Sequence, residues 1–164
     1  MKYSLEHTKN HFVITKFPES LVDIEKLIIR DSDNYLASPF FNSQTLVIDG
    51  DGLEKLIARE QKRERNNSMD AIFVCSNLEK KYIQLIDFKF NCRNPNNIVR
   101  QELLNKVNGS ITALGVNSEI HETYYIVFRE GLKAQARSRF QRMIPSINNQ
   151  FVPIYIEELK NLYF

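Results

Sequence analysis

The fold is decided by the stretch SMDAIFVCSNLEKKYIQLIDFKF, which covers residues 68–90. It contains two apolar runs, AIFVC at 71–75 and YIQLI at 82–86, and the polar residues 77–81 separate them. Apolar runs of this length and composition are typical of buried strands, and a short polar link between them is typical of a hairpin turn. The stretch therefore predicts a β-hairpin whose two strands are buried.

Three charged residues lie at the ends of these predicted strands, where a buried strand normally avoids charge. Asp70 opens the first strand, and Asp87 and Lys89 close the second. A turn centred on Leu78 and Glu79 places Asp70 opposite Asp87, and the alternation of side chains along a strand puts Lys89 on the same face. Because buried charges without partners are costly, we expect these groups to hold one another or a ligand.

Length and composition indicate one globular domain that spans residues 1–164. Apolar residues make up 43% of the chain and charged residues 26%, which is ordinary for a soluble protein. No apolar run approaches the ~18 residues of a membrane span, the N-terminus lacks a secretory signal, and Cys75 and Cys92 lack the spacing of a disulfide framework or zinc site. We therefore expect a cytoplasmic protein with no membrane partner. Because the net charge is only +2, affinity for nucleic acid must come from local basic patches.

The rest of the chain alternates between helical and strand patterns. The predicted elements are an N-terminal hairpin within 2–17, a helix that starts at 18–20, a loop at 31–43, a strand at 45–48, a helix at 53–65, a helix after residue 97 that ends near 107, a strand at 124–128, a helix at 131–144, an edge strand at 151–156 and a final helical turn at 157–163. This order predicts an α/β (α+β) fold, with a central mixed β-sheet flanked by helices.

The placement of Asp70 on one strand and Asp87-Phe88-Lys89 on its partner resembles the PD-(D/E)xK nuclease superfamily. In that motif an aspartate begins one strand of a hairpin and the (D/E)xK residues end the other; Met69 stands where the motif has proline. The resemblance implies a restriction-endonuclease-like core and an endonuclease that depends on Mg²⁺ or Mn²⁺. We expect it to hydrolyse phosphodiester bonds, in DNA in preference to RNA.

The residue types suit this chemistry. A divalent cation polarises a phosphoryl oxygen and generates hydroxide near neutral pH, and Mg²⁺ prefers one or two carboxylates plus waters. Asp70 and Asp87 are the predicted metal ligands, and the resemblance adds the backbone carbonyl of Phe88. Lys89 is predicted to orient the attacking water or to offset the charge that develops on the phosphate. The alternative is a partly buried salt bridge between Lys89 and one of the aspartates.

The superfamily usually adds an acidic residue from a helix, and three glutamates are candidates here. Glu60 falls within the inward arc of the predicted helix at 53–65, and Glu54 lies on its flank. Glu25, on the helix before, is the third candidate. For each of them a solvated glutamate is the alternative.

Partners and rival functions follow from the same residues. A basic cluster leads into Asp70 and is a candidate for contact with phosphate; its members are Arg59, Lys62, Arg63 and Arg65. One domain offers little surface for reading a nucleic-acid sequence, so a homodimer or a separate recognition subunit is an open alternative. The rival functions are a catalytically inactive nuclease-like module, with a binding, immunity or regulatory role, and a structural α/β protein unrelated to nucleases.

Overall fold

The structure is a computed structural model, and it describes residues 1–32, 39–41, 44–115 and 119–164. Most of the predicted loop at 31–43 lies outside the described residues. None of the helices in the described ranges is long and apolar enough to cross a membrane.

Strands and helices are interspersed along the described chain. The strands are β1 (Lys2–Tyr3), β2 (Leu21–Asp23), β3 (Leu46–Asp49), β4 (Ala71–Ser76), β5 (Lys81–Lys89), β6 (Tyr124–Phe128) and β7 (Phe151–Tyr155). The helices are α1 (Leu5–Lys9), α2 (Phe12–Lys16), α3 (Ile24–Asp31), α4 (Gly50–Gln61), α5 (Arg100–Leu114), α6 (Lys133–Arg142) and α7 (Ile156–Tyr163), with short 3₁₀ turns at Pro18–Ser20 and Pro95–Asn97.

These strands form one mixed sheet, which confirms the predicted α/β class. The strand order is β2-β3-β4-β5-β6-β7, and β1 pairs with the carboxyl end of β4, at Cys75 and Ser76. The pairs β2–β3, β3–β4 and β4–β5 are antiparallel, whereas the pairs β5–β6 and β6–β7 are parallel. The carboxyl ends of β3 and β5 and the amino end of β4 therefore lie at the same edge of the sheet. β7 is an edge strand, as Pro153 predicts.

The hairpin has the predicted register. Ala71 pairs with Ile86 and Ser76 with Lys81, so Asp70 and Asp87 face each other one position beyond the paired residues. The backbone N–H of Asp70 still donates to the carbonyl of Ile86, at 2.9 Å. The register thus brings both aspartates to the edge of the sheet.

Helices cover both faces of the sheet, which explains why the two central strands are apolar runs and do not alternate with polar residues. On one face α4, α5 and α6 pack on the sheet. Their side chains in this core include Leu53, Leu103 and Phe140, and those of the sheet include Ile72 and Leu85. On the other face α3 and α7 pack on it through side chains that include Ile24, Leu27, Phe73, Phe88 and Leu159. The face of Leu85 is also the face of Asp87 and Lys89, because side chains alternate along β5.

The N-terminal region differs from its prediction. The hairpin predicted within 2–17 is wrong, because the Ser4 side chain accepts the N–H of His7 and caps α1. Thr8, which is fully buried, then links this helix to the sheet by accepting the N–H of Val74 at 3.0 Å. The next predicted helix starts later than expected, because Leu21–Asp23 pairs with β3 as a strand and Asp23 caps α3.

Candidate functional site

Four charged side chains meet at the edge of the sheet. Asp70 is the residue before β4, and Asp87 and Lys89 lie at the end of β5. Lys106, from α5, is the fourth, and it reaches across the same face of the sheet. The three residues predicted to form a site are therefore brought together, and a second lysine joins them.

Lys106 bridges the two carboxylates. Its Nζ lies 3.3 Å from Asp70 Oδ1 and also donates to Asp87 Oδ1. Lys89 Nζ lies 2.7 Å from Asp87 Oδ2 and forms an ion pair with it. The angles of this contact are not those of a hydrogen bond, so the buried oxygen has no hydrogen bond from the described residues. The remaining oxygen of Asp70, Oδ2, accepts the backbone N–H of Phe88 at 2.6 Å. Each carboxylate is thus fixed by at least two partners.

Burial and nearby charges shift the pKa values of the two aspartates in opposite directions. Burial raises the pKa of Asp70 well above its usual range, and the nearby charge of Asp87 raises it further. Burial also acts to raise the pKa of Asp87, but the charges of Lys89 and Lys106 outweigh it, so that this pKa is lowered. The surrounding charges therefore favour the ionised form of Asp87 more than that of Asp70.

Further charged groups surround this cluster. Arg30 forms a two-pronged ion pair with Asp49, at 2.9 and 3.1 Å, and Asp49 also accepts the N–H of Gly52 and caps α4. Asp31 accepts the N–H of Phe90 at 3.0 Å. Burial raises the pKa of Asp31, and the charge of Asp87 adds to the shift. A third carboxyl group thus lies within electrostatic reach of the central pair.

The three candidate glutamates have partners elsewhere. Glu60 forms a surface ion pair with Lys16 at 2.7 Å, and its side chain is 48% exposed. Glu54 is fully buried and bonds Arg63 at 2.6 Å. Glu25 accepts the backbone N–H of Phe41 at 2.5 Å.

The prediction that Glu60 points inward is wrong, because Glu60 is the last residue but one of α4 and its side chain lies in solvent beside Lys16, whereas Leu53, Glu54 and Ile57 are buried. The structure brings none of these glutamates into contact with Asp70 or Asp87 among the residues it describes.

Two members of the predicted basic cluster are used within the protein. Arg63 neutralises the buried Glu54, whose Oε1 also accepts the N–H of Asn66 at 2.7 Å. Arg65 donates to the carbonyl oxygen of Asp51 at 3.2 Å and keeps a side chain that is 51% exposed. Of these two residues, Arg65 retains the larger exposed surface for an external ligand.

Two charged residues of this site were not among the predicted metal ligands and catalytic residues, although Lys106 lies on a helix from which the resemblance allows a polar residue to join the site, and both carry a sequence signal. Asp31 lies three and four residues after Ile28 and Leu27, on the buried side of α3. Lys106 lies likewise on the buried side of α5, between Leu103 and Ser110. A charge that continues the apolar stripe of a helix faces the core, where it needs a partner.

The two carboxylates of the cluster are oxygen donors of the kind that a magnesium ion prefers, but in this structure both are paired with ammonium groups. No three His, Cys, Asp or Glu side chains of the described chain are grouped so that they could hold a metal ion. Mg²⁺, however, needs only one or two carboxylates with waters, and Asp70 and Asp87 provide them. Phe88 donates its N–H toward Asp70, and in an extended strand the carbonyl of the same residue points to the same side. A cation at this place would take the position of the Lys106 ammonium.

Comparisons with known proteins give no match: no family model, curated protein or solved structure matches this chain.

Proposed function

We propose that this chain is a metal-dependent nuclease of the PD-(D/E)xK type, which hydrolyses phosphodiester bonds in DNA in preference to RNA. One observation carries the proposal: two buried carboxylates face each other at the end of the hairpin, with Lys89 two residues after the second one. The register of the hairpin produces this arrangement, and a pair of carboxylates beside an ammonium is the donor set that phosphodiester hydrolysis needs.

Each residue has a defined task in this proposal. Asp87, whose pKa the two lysines lower, would hold Mg²⁺ or Mn²⁺, and Asp70, oriented by the N–H of Phe88, would be the second ligand. When bound, the cation supplies Lewis acidity toward the phosphoryl oxygen and the attacking water. Lys89, whose side chain is 26% exposed, donates to the water or to an oxygen of the phosphate. Lys106 must leave its bridging position when the cation binds.

A second candidate function is a catalytically inactive module with a binding, immunity or regulatory role. The bridging position of Lys106 favours it, because two ammonium groups already neutralise two carboxylates without a metal. A buried cluster of ion pairs needs no catalytic role, even though Asp87 Oδ2 lacks a hydrogen bond from the described residues.

The experiment that separates the two functions is a cleavage assay on plasmid and single-stranded DNA, with RNA in parallel, in Mg²⁺ or Mn²⁺. We expect Asp87→Ala and Lys89→Ala each to reduce the rate by about 10²-fold or more, and the surface variant Glu60→Gln to cleave like the wild type. Circular dichroism establishes that each variant is folded. Cleavage that survives both alanine substitutions would sink the nuclease proposal, and a folded wild type without cleavage of any substrate would favour the inactive module.

A further inference from the structure

A polar cavity of about 370 Å³ lies beside the charged cluster, between α5 and the segment that leads into β4. We call it the amide groove. It is lined by one guanidinium, four amides and one hydroxyl, from Arg65, Asn66, Asn67, Asn105, Asn108 and Thr112. No carboxylate belongs to this lining in the part of the chain that the structure describes. The lining is therefore rich in hydrogen-bond donors, and the Asp51 carboxylate lies 4.0 Å from the Arg65 guanidinium.

One wall of the amide groove is a single side of α5. Asn105, Asn108 and Thr112 are spaced as i, i+3 and i+7, which places them on the same side of a helix. Lys106, which bridges the two aspartates, follows directly after Asn105, so the groove begins next to the charged cluster. At 1.5 Å per residue, this wall runs about 10 Å along the helix, away from Lys106.

The two walls are fixed to each other by close backbone contacts. The hydroxyl of Ser110 accepts the N–H of Met69 at 2.8 Å. Gly109 lets the helix approach so closely that a Cβ at this position would lie 1.9 Å from the carbonyl oxygen of Asn67. The groove therefore has a built shape, set by the same contacts that bring Lys106 to the aspartates.

The Thr112 hydroxyl donates to the backbone carbonyl of Asn108 at 2.8 Å, but other donors of the groove are available to a ligand. The amide side chains of Asn67 and Asn108 are exposed, and neither has a hydrogen-bond partner among the described residues. Arg65 uses one of its donors for the carbonyl of Asp51 and has others left. Arginine, asparagine and threonine side chains bind phosphate and sugar oxygens in protein–DNA complexes without reading the sequence.

Building on the proposed nuclease function, we propose that the amide groove holds the phosphate–sugar backbone of the strand that is cleaved, on one side of the scissile phosphate. The ligand is a single nucleic-acid strand, whose oxygens accept from the amides and from Arg65. This contact positions the strand and leaves the chemistry to Asp70, Asp87 and Lys89. A change in the amide groove should therefore alter the affinity for nucleic acid whether or not a metal ion is bound.

The test is fluorescence anisotropy with a labelled single strand of about 20 nucleotides in EDTA, which spans more than one binding site size. Asn67→Asp and Asn108→Asp replace an amide by a carboxylate of the same shape on exposed positions. Asn161→Asp makes the same change on α7, on the opposite face of the sheet. We expect each groove variant to weaken binding about twofold to fivefold at moderate salt and Asn161→Asp to bind like the wild type.

A charge of the opposite sign provides the complementary measurement. Asn108→Lys should tighten binding and steepen the dependence of log K on log salt by about 0.7, the value for one added phosphate contact on a single strand. The effects should be equal on thymine-only and adenine-only strands. Unchanged affinity in both aspartate variants, an unchanged salt slope for Asn108→Lys, or an effect confined to adenine strands would each overturn a backbone contact in the groove.

The binding test of the amide groove is independent of the test of nuclease activity, because binding in EDTA does not require cleavage. Groove-dependent binding by a protein that cleaves nothing would overturn the nuclease and leave the groove. Cleavage by a protein whose binding ignores Asn67 and Asn108 would overturn the groove and leave the nuclease.

Discussion

Replacing Lys106 by methionine should convert a protein that is stable without divalent cations into one whose stability depends on them. Methionine keeps most of the apolar stem and removes the ammonium that bridges Asp70 and Asp87. Removing one partner of a buried ion pair costs about 3–5 kcal/mol. Lys89 still neutralises Asp87, and Asp70 can take up a proton, so we expect a loss near the lower limit, about 3 kcal/mol. For a chain of this length that corresponds to a fall in Tm of about 6–12 °C.

The assay is thermal unfolding in EDTA and in increasing Mg²⁺ or Mn²⁺. In Lys106→Met a cation between the two carboxylates replaces the missing charge, and at a concentration 100 times its Kd it adds about 2.7 kcal/mol. In the wild type the cation first has to displace the ammonium, so the gain in Tm is smaller. Lys55→Met, on the exposed side of α4, is the matched control and should stay within about 0.5 kcal/mol of the wild type.

Two results would refute this reasoning at different points. If Lys106→Met unfolds in EDTA at the temperature of the wild type, the bridge contributes no stability. If the variant is destabilised but gains no more from divalent cations than the wild type, the two aspartates are no cation site. The inactive module would then be the better interpretation of the cluster.

Three further outcomes follow from the structure. Gly109→Ala should lower the free energy of unfolding by about 1–3 kcal/mol, because its Cβ would lie 1.9 Å from the Asn67 carbonyl oxygen; an unchanged urea midpoint would contradict that close approach. Burial lowers the pKa of His11, so the unfolded state binds more protons than the folded state. The stability that the neutral His11 contributes is therefore complete above about pH 6.5 and is lost as the pH falls. His11→Gln should reduce the loss of stability at acid pH in urea unfolding, and an unchanged pH profile would contradict this role of His11. Burial raises the pKa of Cys75 to about 12, so alkylation of the folded protein near pH 8, followed by mass spectrometry, should modify Cys92 and spare Cys75; equal labelling of both would contradict the buried placement.

The hairpin and its register were predictable because the information is local. Two apolar runs and the turn at 77–81 determine which residues face each other, and the facing pair Asp70 and Asp87 follows from the alternation of side chains. The class of fold follows from the order of helical and strand patterns. No contact between distant parts of the chain was needed for either result.

The other parts of the site depend on tertiary packing. Lys106 reaches the aspartates because Gly109 and Ser110 hold α5 against the segment before β4, a contact that periodicity does not contain. Glu54 is buried because Arg63, beyond the end of its helix, folds back onto it. Periodicity ranks helix faces by apolarity, and it cannot distinguish a glutamate with such a partner from a solvated one.

The hydrogen bond from Phe88 to Asp70 makes a single backbone amide into a spectroscopic reporter. Its N–H lies 2.6 Å from Asp70 Oδ2 and is shielded from water by the buried side chains on both faces of the sheet. The proton of this amide therefore senses the charge on the carboxylate directly, and its NMR resonance should move when Asp70 takes up a proton or when a cation displaces Lys106. One resonance in a ¹⁵N-labelled sample thus follows the site in real time, with neither substrate nor turnover.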